Sequence, residues 1–411
     1  MKDGSSQQPA ASQKARSSGA PRALSRSTVI IGLVSLLSDI STEMIYPLLP
    51  IFLTQTLGVP KTVVGLIEGI ATGTASVVTG LSGWFSDRIG RRKPVAFTGY
   101  ALTALSRPII AFAAAWPVVL GARFADRFGK GIRSAPKDAL LADNTPPEQR
   151  GRAYGFERTM DYTGAVAGPV IGLALLSWLG SGRISSVFLL STIPATMAAI
   201  LILTLREKRD RIATAAKRVK FSLEGTTREY RRLLIVTAVF GLANSANAFL
   251  ILRAGSLGLN ERATILAYAL YNAVAALMSL PAGAASDRFG RRNLLILGYG
   301  IYALAYAGFG AASAGWMVWP LFVAYGLFPA LTDGVAKAMA VDTAGSAGRA
   351  TAIGIYSAVV GITQIAASYI GGMLWDTIDA SATFYFGAML SAAAVALLFV
   401  LLPAKNLKSE S

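Results

Sequence analysis

Gly83-Trp84-Phe85-Ser86-Asp87-Arg88-Ile89-Gly90-Arg91-Arg92 returns 200 positions later as Gly283-Ala284-Ala285-Ser286-Asp287-Arg288-Phe289-Gly290-Arg291-Arg292. In each copy a long apolar run ends in Gly-x-x-x-Asp-Arg-x-Gly-Arg-Arg, and another apolar run begins directly after it. A charged turn repeated between hydrophobic segments describes two related halves, both threaded through a bilayer.

Composition agrees. Of 411 residues, 53% are hydrophobic and only 15% charged, far too apolar for a soluble globular chain. A helix needs about 20 apolar residues to cross the hydrocarbon core. The apolar runs predict spans near 28–54, 61–86, 94–114, 117–141, 152–179 and 185–205, then 232–254, 261–285, 293–313, 317–341, 348–375 and 381–403. The fold class expected is an all-α membrane protein, with twelve transmembrane helices in two pseudo-symmetric six-helix bundles over 28–205 and 232–403. Residues 1–27 read as a disordered tail, 206–231 as a basic central loop and 404–411 as a polar tail.

Lysine and arginine set the orientation. Of the 39, 27 fall in the tails and the loops on one side, ten of them in 206–232. Four lie opposite (Lys61, Arg183, Arg253 and Arg262), and eight fall within spans. The positive-inside rule then puts both termini and the central loop in the cytoplasm of a cell, with the chain multi-pass in a bacterial inner membrane. Topology accounts for the net charge of +17, and no basic face lies on a soluble domain to bind nucleic acid.

The chain has no cysteine and no histidine. Thiolate metal sites and imidazole relays are therefore ruled out, and any proton handling falls to carboxylates. No nucleophile–base pair, metal cluster or phosphate-binding loop is apparent, so neither enzymatic activity nor a cofactor is expected.

The motif Gly83-x-x-x-Asp87-Arg88-x-Gly90-Arg91-Arg92 between spans two and three resembles the signature hairpin of the major facilitator superfamily. The echo containing Asp287 and Arg288 stands where that family carries its degenerate second copy. The resemblance covers the whole spanning region. It implies a secondary transporter that rocks between inward-open and outward-open states around a midplane site, working as a monomer. Physically, Gly83 and Gly90 permit a tight turn and close helix approach. Asp87 can cap a neighbouring helix while pairing with arginines, which would make the hairpin a latch between the halves. The plainer alternative is that Arg88, Arg91, Arg92 and Lys93 only set topology.

Span five reads Gly155-x8-Gly164-x3-Gly168-Pro169-x2-Gly172. This resembles the pattern that the superfamily's drug–proton antiporters carry there, with Leu173 where a further glycine is usual, and it implies export. Ordinary glycine-mediated packing, with a bend at Pro169, is the alternative.

Span four carries Arg123, Asp126, Arg127, Lys130, Arg133, Lys137 and Asp138. One charge at the middle of a lipid-facing helix costs about 2.5–3.5 kcal/mol on the mild insertion scale, so this helix must line a watery cavity or meet acidic partners. Arg127-x-x-Lys130-Gly131 is imperfectly similar to an arginine motif that the family associates with proton coupling. Asp39 and Glu43, one turn apart in span one, are the first candidates to carry the proton, with Glu68 third. Glu157, Asp126 and Asp161 are further acidic groups, and a static salt-bridge network is the competing role for Asp126 and Asp138. For the substrate cavity the candidates are Arg127, Lys130 and Arg133, with Asn244, Asn247, Tyr271, Asp333 and Lys337 from the second half. Tyr268, Asn272 and Gln364 add polar and aromatic surface there.

The function expected is proton-coupled export of a small organic molecule across the lipid bilayer, with the proton gradient as the energy source. One alternative is a transporter of organic anions, by symport or exchange, that holds them with Arg127, Lys130 and Arg133. Another is a membrane sensor or scaffold that kept the fold without transporting.

Overall fold

The computed structural model describes residues 24–89, 91–146, 149–180, 182–205, 207, 223, 225–345 and 349–402, with side chains except those of 83–89, 287, 349 and 350. They form twelve helical spans, numbered here one to twelve in chain order. The first six are Arg26–Thr56, Lys61–Ile89, Arg92–Ala111, Trp116–Asp143, Arg150–Leu179 and Ile184–Leu203. The second six are Arg228–Ser256, Glu261–Phe289, Arg291–Ala311, Gly315–Asp342, Arg349–Thr377 and Ala380–Leu401. Among the described residues there is no strand.

Ten of the spans are long and apolar enough to cross a membrane. Spans three and four fall short because Arg92, Lys93 and Arg107 and the span-four charges interrupt their apolar runs. Span one breaks at 46–48, where Pro47 removes a backbone donor, and closes with a π-helical turn over Phe52–Thr56. Span seven breaks at the equivalent place, 244–247, so the pseudo-symmetry extends to the interruptions.

Span one starts inside the expected tail. The Ser25 hydroxyl caps it by accepting from the Thr28 N–H at 3.1 Å. Span seven starts inside the expected central loop, with the Thr227 hydroxyl accepting from the Tyr230 N–H at 3.0 Å. The remainder of the expected tails, 1–23 and 403–411, and most of the expected loop lie outside the described residues.

Each half repeats one packing scheme. Span one lies on five and six, three on four and six, and two on four; seven lies on eleven and twelve, nine on ten and twelve, and eight on ten. The halves meet along two seams, two against eleven and five against eight. Glycine makes the first seam tight. A Cβ on Gly65 would come within 2.1 Å of the Ser368 carbonyl oxygen, and one on Gly372 within 2.4 Å of the Lys61 carbonyl oxygen. On the side away from the termini, Asp376 at the end of span eleven caps span two. Its carboxylate accepts from the backbone N–H groups of Lys61 at 3.1 Å and Thr62 at 2.7 Å. The second seam is held by the Tyr162 hydroxyl donating to Ser279 at 2.8 Å and the Asn272 amide donating to the Ala165 carbonyl at 3.1 Å.

Gly90 and the side chains of Asp87, Arg88 and Asp287 lie outside the described residues, and Gly83 is described by its helical backbone alone. Two of the described hairpin arginines meet an aspartate at the end of a span of their own half. Arg92 pairs with Asp143 at the end of span four, and Arg291 pairs with Asp342 at the end of span ten. Arg91 is exposed, and Arg288 lies over the Phe289 ring at 5.4 Å.

Candidate functional site

The span-five glycines decide where the first acidic pair sits. A Cβ on Gly164 would fall 2.8 Å from the Leu36 carbonyl oxygen and 2.9 Å from the Asp39 Cβ. On Gly168 it would fall 2.6 Å from the Glu43 Cβ, and on Gly172 2.7 Å from the Met44 carbonyl oxygen. Three glycines thus let span one lie directly on span five at the turn bearing Asp39 and Glu43, beside Pro169. A Cβ on Gly155 would meet nothing within 4 Å, and this glycine stands apart from the seat.

Around that turn the first half buries a network of charges. Arg123, fully buried, holds Glu68 through three contacts of 2.7–3.0 Å and also reaches Asp126 at 3.2 Å. Asp126 further receives Arg107 at 3.3 Å and Arg127 at 3.7 Å. Arg107 is itself fully buried and donates to the Ser41 and Thr42 hydroxyls at 3.1 and 3.0 Å. Arg133 donates to Ser38 and Thr103 at 2.7 and 2.6 Å and lies 4.4 Å over the Tyr100 ring. Lys137 pairs with Glu157, which also accepts from the Ser35 hydroxyl at 2.8 Å. Asp161 meets the exposed Arg158 at 3.8 Å. Burial of so much charge is tolerable only because each ion faces opposite charge or several hydroxyls.

Three ionisable groups at this level are left over. Among the described residues Asp39, Glu43 and Lys130 have no ion-pair partner within 4.0 Å, although Lys130 stands within Coulombic reach of both carboxylates. Asp39, Glu43 and Lys130 are half-buried. Glu43 makes a bond across the divide, accepting from the Tyr268 hydroxyl of span eight at 3.0 Å. Tyr46 stacks on the same Tyr268 ring at 5.5 Å.

From Tyr268 an aromatic chain runs into the second half. Tyr268 meets Tyr271 at 5.5 Å, Tyr271 meets Tyr325 at 5.3 Å, and Tyr325 meets Tyr302 and Tyr306 at 5.8 and 5.9 Å. Asn247, in the break of span seven, ties this chain together by accepting from Tyr325 at 2.8 Å and donating to Tyr271 at 3.3 Å. Beside it lies a cleft lined entirely by spans seven, nine, ten and eleven. Asn244, Asp333 and Gln364 project polar groups onto it, while Lys337, one turn beyond Asp333, is exposed outside its lining.

The candidates therefore divide between two places. Asp39, Glu43, Glu68, Asp126, Arg127, Lys130 and Arg133 form one connected cluster, with Asp161 at its edge. Asn244 and Asp333 belong to the cleft, and Asn247 and Tyr271 to the aromatic chain between them. Arg107 was missed as a site residue. Its signal was a cation inside span three with no acid nearby in sequence, the same argument that marked span four.

A family model for the Major Facilitator Superfamily matches residues 31–250 and 233–411. An MFS-type transporter of Methanocaldococcus jannaschii is 30% identical over 378 residues, 90% of this chain and 93% of its own length. A Multidrug resistance protein of Photorhabdus laumondii is 31% identical over 156 residues, 36% of this chain and 38% of its own length. Among solved structures, the nucleoside transporter NupG superposes with a TM-score of 0.77 at 14% identity, covering 92% of this chain and 100% of that one.

Proposed function

The chain belongs to the major facilitator superfamily, and from that premise we propose that it exports a small organic molecule in exchange for protons. The observation that carries this reading is the pair Asp39 and Glu43. They are the two carboxylates of the cluster without an ion-pair partner among the described residues; Glu43 meets the second half at Tyr268, and Asp39 lies one turn before it. Glu68, Asp126 and Glu157 are each locked to arginine or lysine, so taking up a proton would break a buried pair. A proton reaching Asp39 or Glu43 breaks no ion pair, and on Glu43 it changes what that carboxyl offers Tyr268. Charge on this turn can thus be traded against the fit of one half on the other.

Export is supported by the partial similarity to a protein named for multidrug resistance and by the span-five glycines that seat the carboxylates. In this structure Asp376 joins spans two and eleven on the side away from the termini. With the termini in the cytoplasm of a bacterial cell, cargo would load from inside when that contact is made and the opposite side opens.

The test is flux in proteoliposomes. An imposed pH gradient is expected to drive cargo in the native chain and not in Asp39→Asn with Glu43→Gln, while gradient-free cargo exchange persists in the variant. Unchanged proton-driven flux in the double variant would remove the proposal.

A second reading has Lys130 behind it, a cation with no ion pair that an organic anion could engage. Arg133 is already committed to Ser38, Thr103 and Tyr100, which leaves an anion fewer free donors. Cargo uptake that strengthens with negative charge and fails in Lys130→Gln would favour this reading.

A further inference from the structure

Resting on the exporter reading, we infer that the cleft of the second half is the cargo's binding site and that it takes an organic cation with a flat aromatic body. Asp333 is the one charged side chain among the lining residues, and among the described residues it has no ion pair within 4.0 Å, even though Lys337 lies one turn away. The walls beside it are aromatic. Tyr299 stacks on Phe240 with centroids 3.7 Å apart and planes 4° apart, and Phe328 leans on the same Phe240 at 5.4 Å. Tyr356 adds a fourth ring.

A carboxylate with no ion pair within 4.0 Å, on a cleft wall that also carries aromatic rings, is complementary to a positive charge and repels a negative one; Lys337 and Arg158 act on it only from farther off. Two further features point to an occupant with hydrogen-bonding groups. The hydroxyl of Thr237, a residue only 2% exposed on the cleft wall, is enclosed and bonded to nothing. Gln364 lines the cleft with an amide that no described residue engages.

The lining comes from spans seven, nine, ten and eleven, whereas Asp39 and Glu43 lie in span one. Cargo and proton therefore do not compete for one carboxylate. Their coupling passes through the conformation of the two halves, along the contact between Glu43 and Tyr268 and the rings behind it.

The experiment uses the full chain in nanodiscs without any gradient and three probes of similar shape: phenyltrimethylammonium, uncharged tert-butylbenzene and anionic benzenesulfonate. The cation is expected to bind at least about tenfold more tightly than either companion, and Asp333→Asn to erase that preference. Since the chain has no cysteine, Gln364→Cys gives a single labelling position. The cation is expected to slow its reaction with a thiol reagent when Asp333 is present and not in Asp333→Asn. Preference for benzenesulfonate, or unchanged cation affinity and protection in a folded Asp333→Asn, overturns the inference. Should Asp333→Asn not fold, Tyr356→Leu is expected to weaken cation binding several-fold, and unchanged affinity overturns it equally. Cation binding that survives while proton-driven flux is absent counts against the exporter reading alone. Cation–proton exchange that persists in Asp333→Asn counts against the cleft alone.

Discussion

The two halves of this chain share a hairpin, a set of helix contacts and even matching breaks in spans one and seven, yet their interiors have opposite character. At positions 200 residues apart, Arg123 becomes Val323, Arg127 becomes Leu327, Lys130 becomes Ala330 and Arg107 becomes Ala307. Glu68, locked to Arg123 in the first half, becomes Tyr268, the residue that reaches back to Glu43. Gly164, which seats Asp39, becomes Gln364 on the cleft wall. A duplicated backbone has kept its helix packing, which small residues and apolar ridges enforce. The inward side chains, free to diverge, have placed charge on one side and rings on the other. On the present proposals, that difference separates the ion from the cargo.

The comparison breaks most visibly in stability. Arg123→Leu leaves Glu68 buried without its cation, and is expected to cost about 3–5 kcal/mol, read as a large fall in Tm in detergent. Adding Glu68→Leu is expected to recover much of that loss, because the unpaired charge is gone. Val323→Ala, the same place in the second half and 38% exposed, is expected to cost about 1 kcal/mol or less. Equal costs at Arg123 and Val323 would mean that the network carries no special burden.

Next come the glycines. Gly168→Ala puts a methyl 2.6 Å from the Glu43 Cβ and is expected to cost about 1–3 kcal/mol by overpacking, along with most of the proton-driven flux. Gly155→Ala, with open space around it, is expected to leave both unchanged. The smallest effect falls on the link between the halves. Tyr268→Phe deletes one hydrogen bond, worth about 0.5–1.5 kcal/mol, and is expected to lower flux several-fold while the tyrosine stack and the cation affinity of the cleft persist. Intact flux in this variant would show that the halves communicate by another route.

Much of the architecture was open to reading from residues alone. The repeated hairpin and the apolar runs carried the twelve spans and the two halves, because span length and backbone satisfaction in a bilayer admit few other forms. The pairing inside the first half was not readable this way. Spacing along span four places Lys130 one turn from Asp126, yet Asp126 turns to Arg107 and Arg123, and Lys130 is left without an ion pair. Glu68 stands third behind Asp39 and Glu43 as a proton carrier on sequence grounds, and only the fold closes Arg123, 55 residues on, around it.

The sequence by itself determined that this chain spans a membrane in two related halves and that its charges gather in the first. Tertiary structure alone decided which of those charges are neutralised, and that Asp333, Thr237 and Gln364 share one cleft. The physical reason is distance. Insertion into a bilayer depends on composition summed along each segment, whereas a Coulomb or hydrogen-bond contact depends on a few ångströms between atoms on helices far apart in the chain.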